Sequence, residues 1–189
     1  MPIVAWVCIG VVVIIVIWFI AVYNALVRLR ALYEEAFSGM DIYMKKRHDL
    51  IPNLVETVKG YAAHESKTLE SVIAARNRAV GAGSAGSAED RIKCESELSS
   101  AISRLLVVVE QYPQLKADSQ FLNLSNQLSA IENDISQARK YYNGAVRKFN
   151  TKIALFPASI VASICRFMKQ PYFELDDVSD REAVQVSFS

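Results

Sequence analysis

The residues able to carry chemistry in this chain are few and far apart. His48 and His64 stand 16 residues apart, and His64-Glu65 is followed by Ser66-Lys67-Thr68 rather than by a second histidine one turn on. A zinc hydrolase needs two imidazoles on one helical face with a carboxylate beside them, so a metal site is not expected. Cys8, Cys94 and Cys165 have no paired spacing, which points away from zinc and from a disulfide framework and leaves them as small apolar fillers. No G-x-S-x-G turn or glycine-rich phosphate loop occurs. Such a set implies neither an enzyme nor a cofactor.

What remains is charge placed among apolar residues. Arg47 falls on the apolar stripe of a long helical pattern, and Glu110, Glu132 and Arg139 lie near the stripes of two others. A charge on a core stripe needs a partner. The pattern predicts a buried polar network of Arg47, Glu110, Glu132 and Arg139. Its role is either to fix helix register or to answer to a ligand or partner, and the first is the commoner use of such networks. Asn143 and Asn150, beside Tyr142 and Phe149, are read in the same way, as register-setting contacts.

Helices must position these residues. Residues 3–22, IVAWVCIGVVVIIVIWFIAV, carry no charge, and at about 1.5 Å per residue they span a hydrocarbon layer of roughly 30 Å. Trp6 near the start, with Trp18 and Tyr23 near the end, are the expected membrane anchors at the two interfaces. A cleaved signal peptide is the rival, but the basic leader and the A-x-A site are missing and the apolar run is too long. Arg28 and Arg30 follow the span, which predicts a short outer N-terminus and an inward-facing domain.

Beyond the span, apolar residues step by three and four: Leu26, Leu29, Tyr33, Phe37, Met40, Tyr43, Leu50, Leu54 and Val58, with Arg47 in phase. Pro52 predicts a kink, or else a break with Asp49 capping a new helix. A shorter helix follows from Ser66 to Val80, then GAGSAGSA at 81–88, whose composition predicts a flexible linker. A third helix is expected from residue 89 to about 110, with Ile92, Leu98, Ile102, Leu105 and Val109 inward. Phe121, Leu124, Leu128, Ile131, Ile135, Ala138, Tyr142, Ala145 and Phe149 give the fourth a coiled-coil periodicity that Pro157 ends. The fold class predicted is all-α. An N-terminal transmembrane helix at 1–22 leads into an antiparallel up-down four-helix bundle and stalk at 23–156, with two long and two short helices.

Residues 157–189 complete the chain as an amphipathic segment and a short extended segment. Ile160, Val161, Ile164, Phe167 and Met168, beside Arg166 and Lys169, are either a contact with the membrane surface or a cap on the bundle. Val184, Val186 and Phe188 alternate with polar residues and predict a short strand or a frayed tail. The proportions imply a two-helix stalk too thin to hide its own seams. Tyr33, Phe37, Tyr142 and Phe149, with the strand Val184, Val186 and Phe188, are therefore the expected self-association surface of a homo-oligomer. Lys and Arg number 21 against 20 Asp and Glu, a balance that offers nucleic acid no attractive field. The partners expected are membrane lipid, further copies of the chain and other membrane proteins. The function expected is a non-enzymatic membrane scaffold. The alternative is a regulatory adaptor for a membrane protease or sensor.

The string KKRHDLIPNLVETVKGYAAHESKTLESVIAARNR at 45–78 resembles the LemA family closely. So do YNALVRLR after the span, SGMDIYMKKR, EQYPQLKA at 110–117 and ENDISQARKYYNGAVRKFN at 132–150, in the family's order. Cys94, the Gly-Ser run and much of the third helix match no family block. The resemblance implies a single-pass protein of the bacterial inner membrane with an antiparallel helical bundle and no assigned enzymatic activity. One branch of the family is associated with magnetosome membranes, which implies a part in membrane organisation.

Overall fold

A computed structural model describes residues 2–173, and within them the chain is all-α. The expected strand with Val184, Val186 and Phe188 lies outside the described residues. Helix α1 runs Pro2–Lys59, α2 Ser66–Ala85, α3 Ala88–Val109, α4 Pro113–Lys116, α5 Ser119–Ala154 and α6 Ala158–Ile164, with a 3-10 turn at Ala63–Glu65.

Helix α1 is 58 residues long and Pro52 lies inside it, so the chain does not break there. A proline removes the N–H that the carbonyl four residues earlier would accept, here that of His48. Arg76 of α2 supplies the missing donor: its Nε lies 3.1 Å from the His48 carbonyl oxygen. A long-range side chain thus lets the helix pass through a residue that would otherwise leave a polar atom unsatisfied.

The predicted linker is mostly helix. α2 continues through Gly81 and Gly83 to Ala85, and α3 starts at Ala88. The reversal is fixed by a capping box: the Ser87 hydroxyl accepts from the Asp90 N–H at 3.1 Å, and the Asp90 carboxylate accepts from the Ser87 N–H at 3.3 Å. Each helical glycine costs about 1 kcal/mol relative to alanine, which packing of a 20-residue helix can absorb. Asp118 similarly caps α5, accepting from the Phe121 N–H at 2.8 Å, and a hydrogen bond from Tyr61 helps hold its carboxyl below the usual range.

The described residues fall into two compact units. One combines α1 as far as Tyr43 with Asn133–Tyr172, and the other is Met44–Glu132. In the second, Ile51, Leu54 and Val58 of α1, Leu69 and Val72 of α2, Leu98 and Leu105 of α3, and Phe121 and Leu128 of α5 close one core. α4 adds the buried Leu115, and its Pro113 stands at a helix start where its absent N–H is harmless.

The first unit corrects the expectation of an open stalk. Tyr33, Tyr142 and Phe149 are buried, and Phe37 is half-buried. Tyr33 meets Phe149 edge-on at 5.1 Å, and Phe37 meets Tyr142 at 5.3 Å. The seam closes because the chain after α6 turns back along α5, which helical periodicity does not reveal. Arg166, at φ 56°, ends α6 in a left-handed cap in which the Phe167 N–H reaches the Ala162 carbonyl at 2.9 Å. Phe167 then stacks on Phe149 at 6.1 Å. Asn150 pairs twice with the Gln170 backbone, at 2.9 Å each way, and the Tyr142 hydroxyl donates to the Pro171 carbonyl at 3.0 Å. Burial pushes the Tyr142 phenol up to about 12. Tyr33, Tyr142 and Phe149 are protomer core rather than an open surface, and Phe37 is partly covered by Tyr142.

Candidate functional site

Three features stand out once the helices are placed. The first is the apolar start of α1, long and apolar enough to cross a membrane, and its most apolar window is wholly uncovered. Trp6 is exposed there, Trp18 is half-buried, and Tyr23 is partly exposed with its ring 6.0 Å from that of Phe167.

The second feature is the polar cluster in the core of the second unit. Arg47 is only 1% exposed because it occupies a stripe position between Met44 and Ile51. Its Nη1 donates to the Ser99 hydroxyl at 2.8 Å and to Glu132 at 2.9 Å, and its Nη2 pairs with the carboxylate of Glu95. The other Glu95 oxygen meets His48 Nε2 at 2.8 Å. The planar guanidinium serves three acceptors on α3 and α5 from one position on α1, a task its fork of donors suits and an ammonium does not.

Two of the four residues expected in this network take other places. Glu110 is exposed and pairs with Lys116 at 2.6 Å. Its stripe ends with Val109, so the next residue turns to solvent. Arg139 belongs to the first unit, beyond the Glu132 that α5 supplies to the cluster. Sequence reading missed His48, Ser99 and, above all, Glu95. A signal for Glu95 existed: the inward stripe of α3 steps from Ile92 to Leu98, and Glu95 fills the three-and-three position between them.

Burial alone would raise the Glu95 carboxyl, but the hydrogen bond from His48 and the charge of Arg47 outweigh it and hold the group below its ordinary 4.5. A depressed folded-state value means that Glu95 contributes stability above about pH 4.5, lost as pH falls further through the folded value. Denaturant titrations of the full chain at stepped pH are therefore expected to show stability falling on acidification below that point. Glu95→Gln should flatten this part of the profile, and an unchanged slope in that variant would remove Glu95 as its source.

The third feature is the corner where α5 gives way to α6. Ile160, Ile164 and Met168 are exposed there as expected of a surface contact, and Leu155 and Phe156 join them. Val161 does not: it is fully buried with Ala158 and Ala162 on the opposite face of α6. Phe167 is half-buried between Tyr23 and Phe149. The segment thus has one face in the core and one outside.

Among the described residues no three His, Cys, Asp or Glu side chains converge as metal ligands. The built features are an apolar helix, a salt-bridged helical core and an apolar corner. A model of the LemA family matches residues 36–188. The chain belongs to the LemA family. The match takes in the Arg47 cluster and the α5–α6 corner. Among relatives, the chain is 24% identical over 181 residues to magnetosome protein MamQ 1 of Paramagnetospirillum magneticum. It is 25% identical over 184 residues to magnetosome protein MamQ of Magnetospirillum gryphiswaldense. Each alignment covers 84% of this chain and 66% of the relative, so the chain spans slightly less than two thirds of these longer proteins. Protein LemA of Metamycoplasma hominis is 25% identical over 155 residues, covering 82% of this chain and 70% of the relative. Family membership and the uncovered apolar helix describe a membrane-associated helical protein.

Proposed function

We propose that this LemA-family chain is a non-enzymatic scaffold, anchored in the bilayer by the start of α1, which self-associates at the membrane surface and organises the membrane. The observation that carries the reading is that one uninterrupted helix holds both an uncovered apolar window and the core residues Ile51, Leu54 and Val58. Anchoring and folding share one element, and both Nη atoms of the buried Arg47 are engaged by residues of its own unit. Confinement of anchored copies to a surface raises their effective concentration, which favours self-association. The contact between copies lies outside the aromatic seam, since each protomer closes that seam itself. Arg28 and Arg30 after the span support a cytoplasmic body, and the relatives named as magnetosome proteins support a place in membrane organisation.

Weighing the intact particle in mild detergent tests the reading. The expected result is a multiple of 21.1 kDa containing a single polypeptide species. A lone protomer would remove self-association. A protomer bound to one stoichiometric foreign membrane protein would establish the adaptor instead. The feature that favours that second reading is a groove of about 620 Å³ beside Pro52, walled by Val55, Leu69 and Ile73.

A further inference from the structure

The α5–α6 corner has a composition that anchoring through α1 does not explain. No Asp or Glu occurs between Asp134 and Glu174, whereas Arg147, Lys148, Lys152, Arg166 and Lys169 all fall in that interval. The whole chain carries a formal net charge of only +1, so this stretch is a local excess of positive charge and not a sample of the average. Within it, Phe156 is 81% exposed, and Leu155, Ile160, Ile164 and Met168 also face outward. The two properties meet on one short corner, with Ala158, Val161 and Ala162 turned inward to hold it on its unit.

The position of the corner is fixed by the Tyr23–Phe167 contact. Tyr23 immediately follows the apolar run of α1, at the level where the helix leaves the hydrocarbon. Phe167, the neighbour in sequence of the exposed Met168, therefore lies against the end of the span. We propose that the corner is a second membrane contact: Leu155, Phe156, Ile160, Ile164 and Met168 enter the headgroup–acyl boundary of an anionic leaflet, and the neighbouring Lys and Arg side chains meet its lipid phosphates. This rests on the membrane anchoring proposed above and extends it from a tether to a docked body.

A bilayer fits better than a second copy of the chain. Two identical corners meeting face to face would bring the Lys and Arg side chains of this stretch towards one another. An anionic surface neutralises the same charges, and apolar residues interleaved with Lys and Arg are the composition of interfacial segments.

Tryptophan fluorescence of the full chain in vesicles tests this directly. In a Trp6→Phe and Trp18→Phe background, Phe156→Trp places the only indole on the corner without disturbing the core. In vesicles of phosphatidylcholine and phosphatidylglycerol with brominated tails, its emission is expected to fall by about half or more, as befits a ring about 5–10 Å inside the boundary. Ile164→Trp should behave likewise. Exchanging Lys152, Arg166 and Lys169 for Gln should weaken quenching at the corner, and an unchanged signal would refute the electrostatic half of the proposal. Quenching of the corner indoles by aqueous iodide but not by bromine would show an open surface and overturn the proposal. Quenching by neither would show a protein cover and overturn it equally. A chain keeping Trp6 alone separates the two levels. If Trp6 is quenched and the corner is not, the second contact fails while the anchor stands. If Trp6 is not quenched, the anchor fails and the contact with it.

Discussion

Replacing Arg47 by methionine is expected to lower the free energy of unfolding by about 3–5 kcal/mol, because it strands a buried carboxylate. Glu95 is almost wholly enclosed, and in the variant its carboxylate loses the guanidinium and keeps the hydrogen bond to His48. Glu132 is about one third exposed and reaches water, so its loss of a partner contributes little. Arg47→Lys keeps the charge but gives up the fork that joins Ser99, Glu132 and Glu95, and should fall between the wild type and the methionine variant. The double change Arg47→Met with Glu95→Met is expected to recover most of the loss, since an apolar pair of similar volume avoids the desolvation of both charges. The Nε of Arg47 is already buried with no hydrogen-bond partner among the described residues, which makes the wild-type cluster an expensive way to fill this space. Denaturant unfolding of the four proteins in detergent, followed by far-UV circular dichroism, gives the coupling energy. A single variant no worse than an exposed substitution, within about 0.5 kcal/mol of wild type, would show that the cluster holds nothing.

This expectation also shows where the sequence was readable. Arg47 was legible as a core charge because α1 keeps its phase from Leu26 to Val58 and Arg47 falls on the stripe. The stripe of α5 was legible for the same reason, and Phe121, Leu128, Ile135, Tyr142 and Phe149 are buried as the three-and-four spacing requires. Partners are a different matter, since periodicity gives the face of a helix and says nothing of what lies opposite. Glu110 and Arg139 lie close in sequence to apolar stripes, whereas Glu95 and Ser99 reach Arg47 across 48 and 52 positions. The continuity of α1 through Pro52 depends on Arg76, a residue 28 positions from the carbonyl it satisfies. The Gly-Ser run reads as a linker because composition reports the average freedom of a segment, while Ser87 and Asp90 fix the start of α3 by two hydrogen bonds. The family match spans Cys94 and Glu95, but none of the short blocks legible in the sequence falls there, so the resemblance names no partner for Arg47.

The aromatic seam produces the second large effect, and it separates the closed protomer from the open stalk. Phe149→Ala is expected to lower stability by about 3–5 kcal/mol, the usual consequence of removing a fully enclosed phenyl ring. Phe149 is 1% exposed and touches both Tyr33 and Phe167, so its removal leaves a cavity and loosens the chain that returns after α6. Loss of near-UV circular dichroism should accompany the change, because Tyr33, Phe149 and Phe167 owe their fixed orientations to one another. The mass of the detergent-solubilised particle should be unchanged at temperatures where the variant is folded, since a ring buried inside one protomer cannot also be the contact between two. An open stalk requires the reverse, a smaller particle with little loss of stability. Phe37→Ala, at a half-buried ring packed on Tyr142, should follow the same pattern with a smaller loss. Measuring mass and stability on the same samples decides between the two arrangements. If the particle shrank while stability stayed at the wild-type value, Phe149 would have to be exposed in the free protomer, and the returning segment fixed by Asn150 and Gln170 would not be closing the seam.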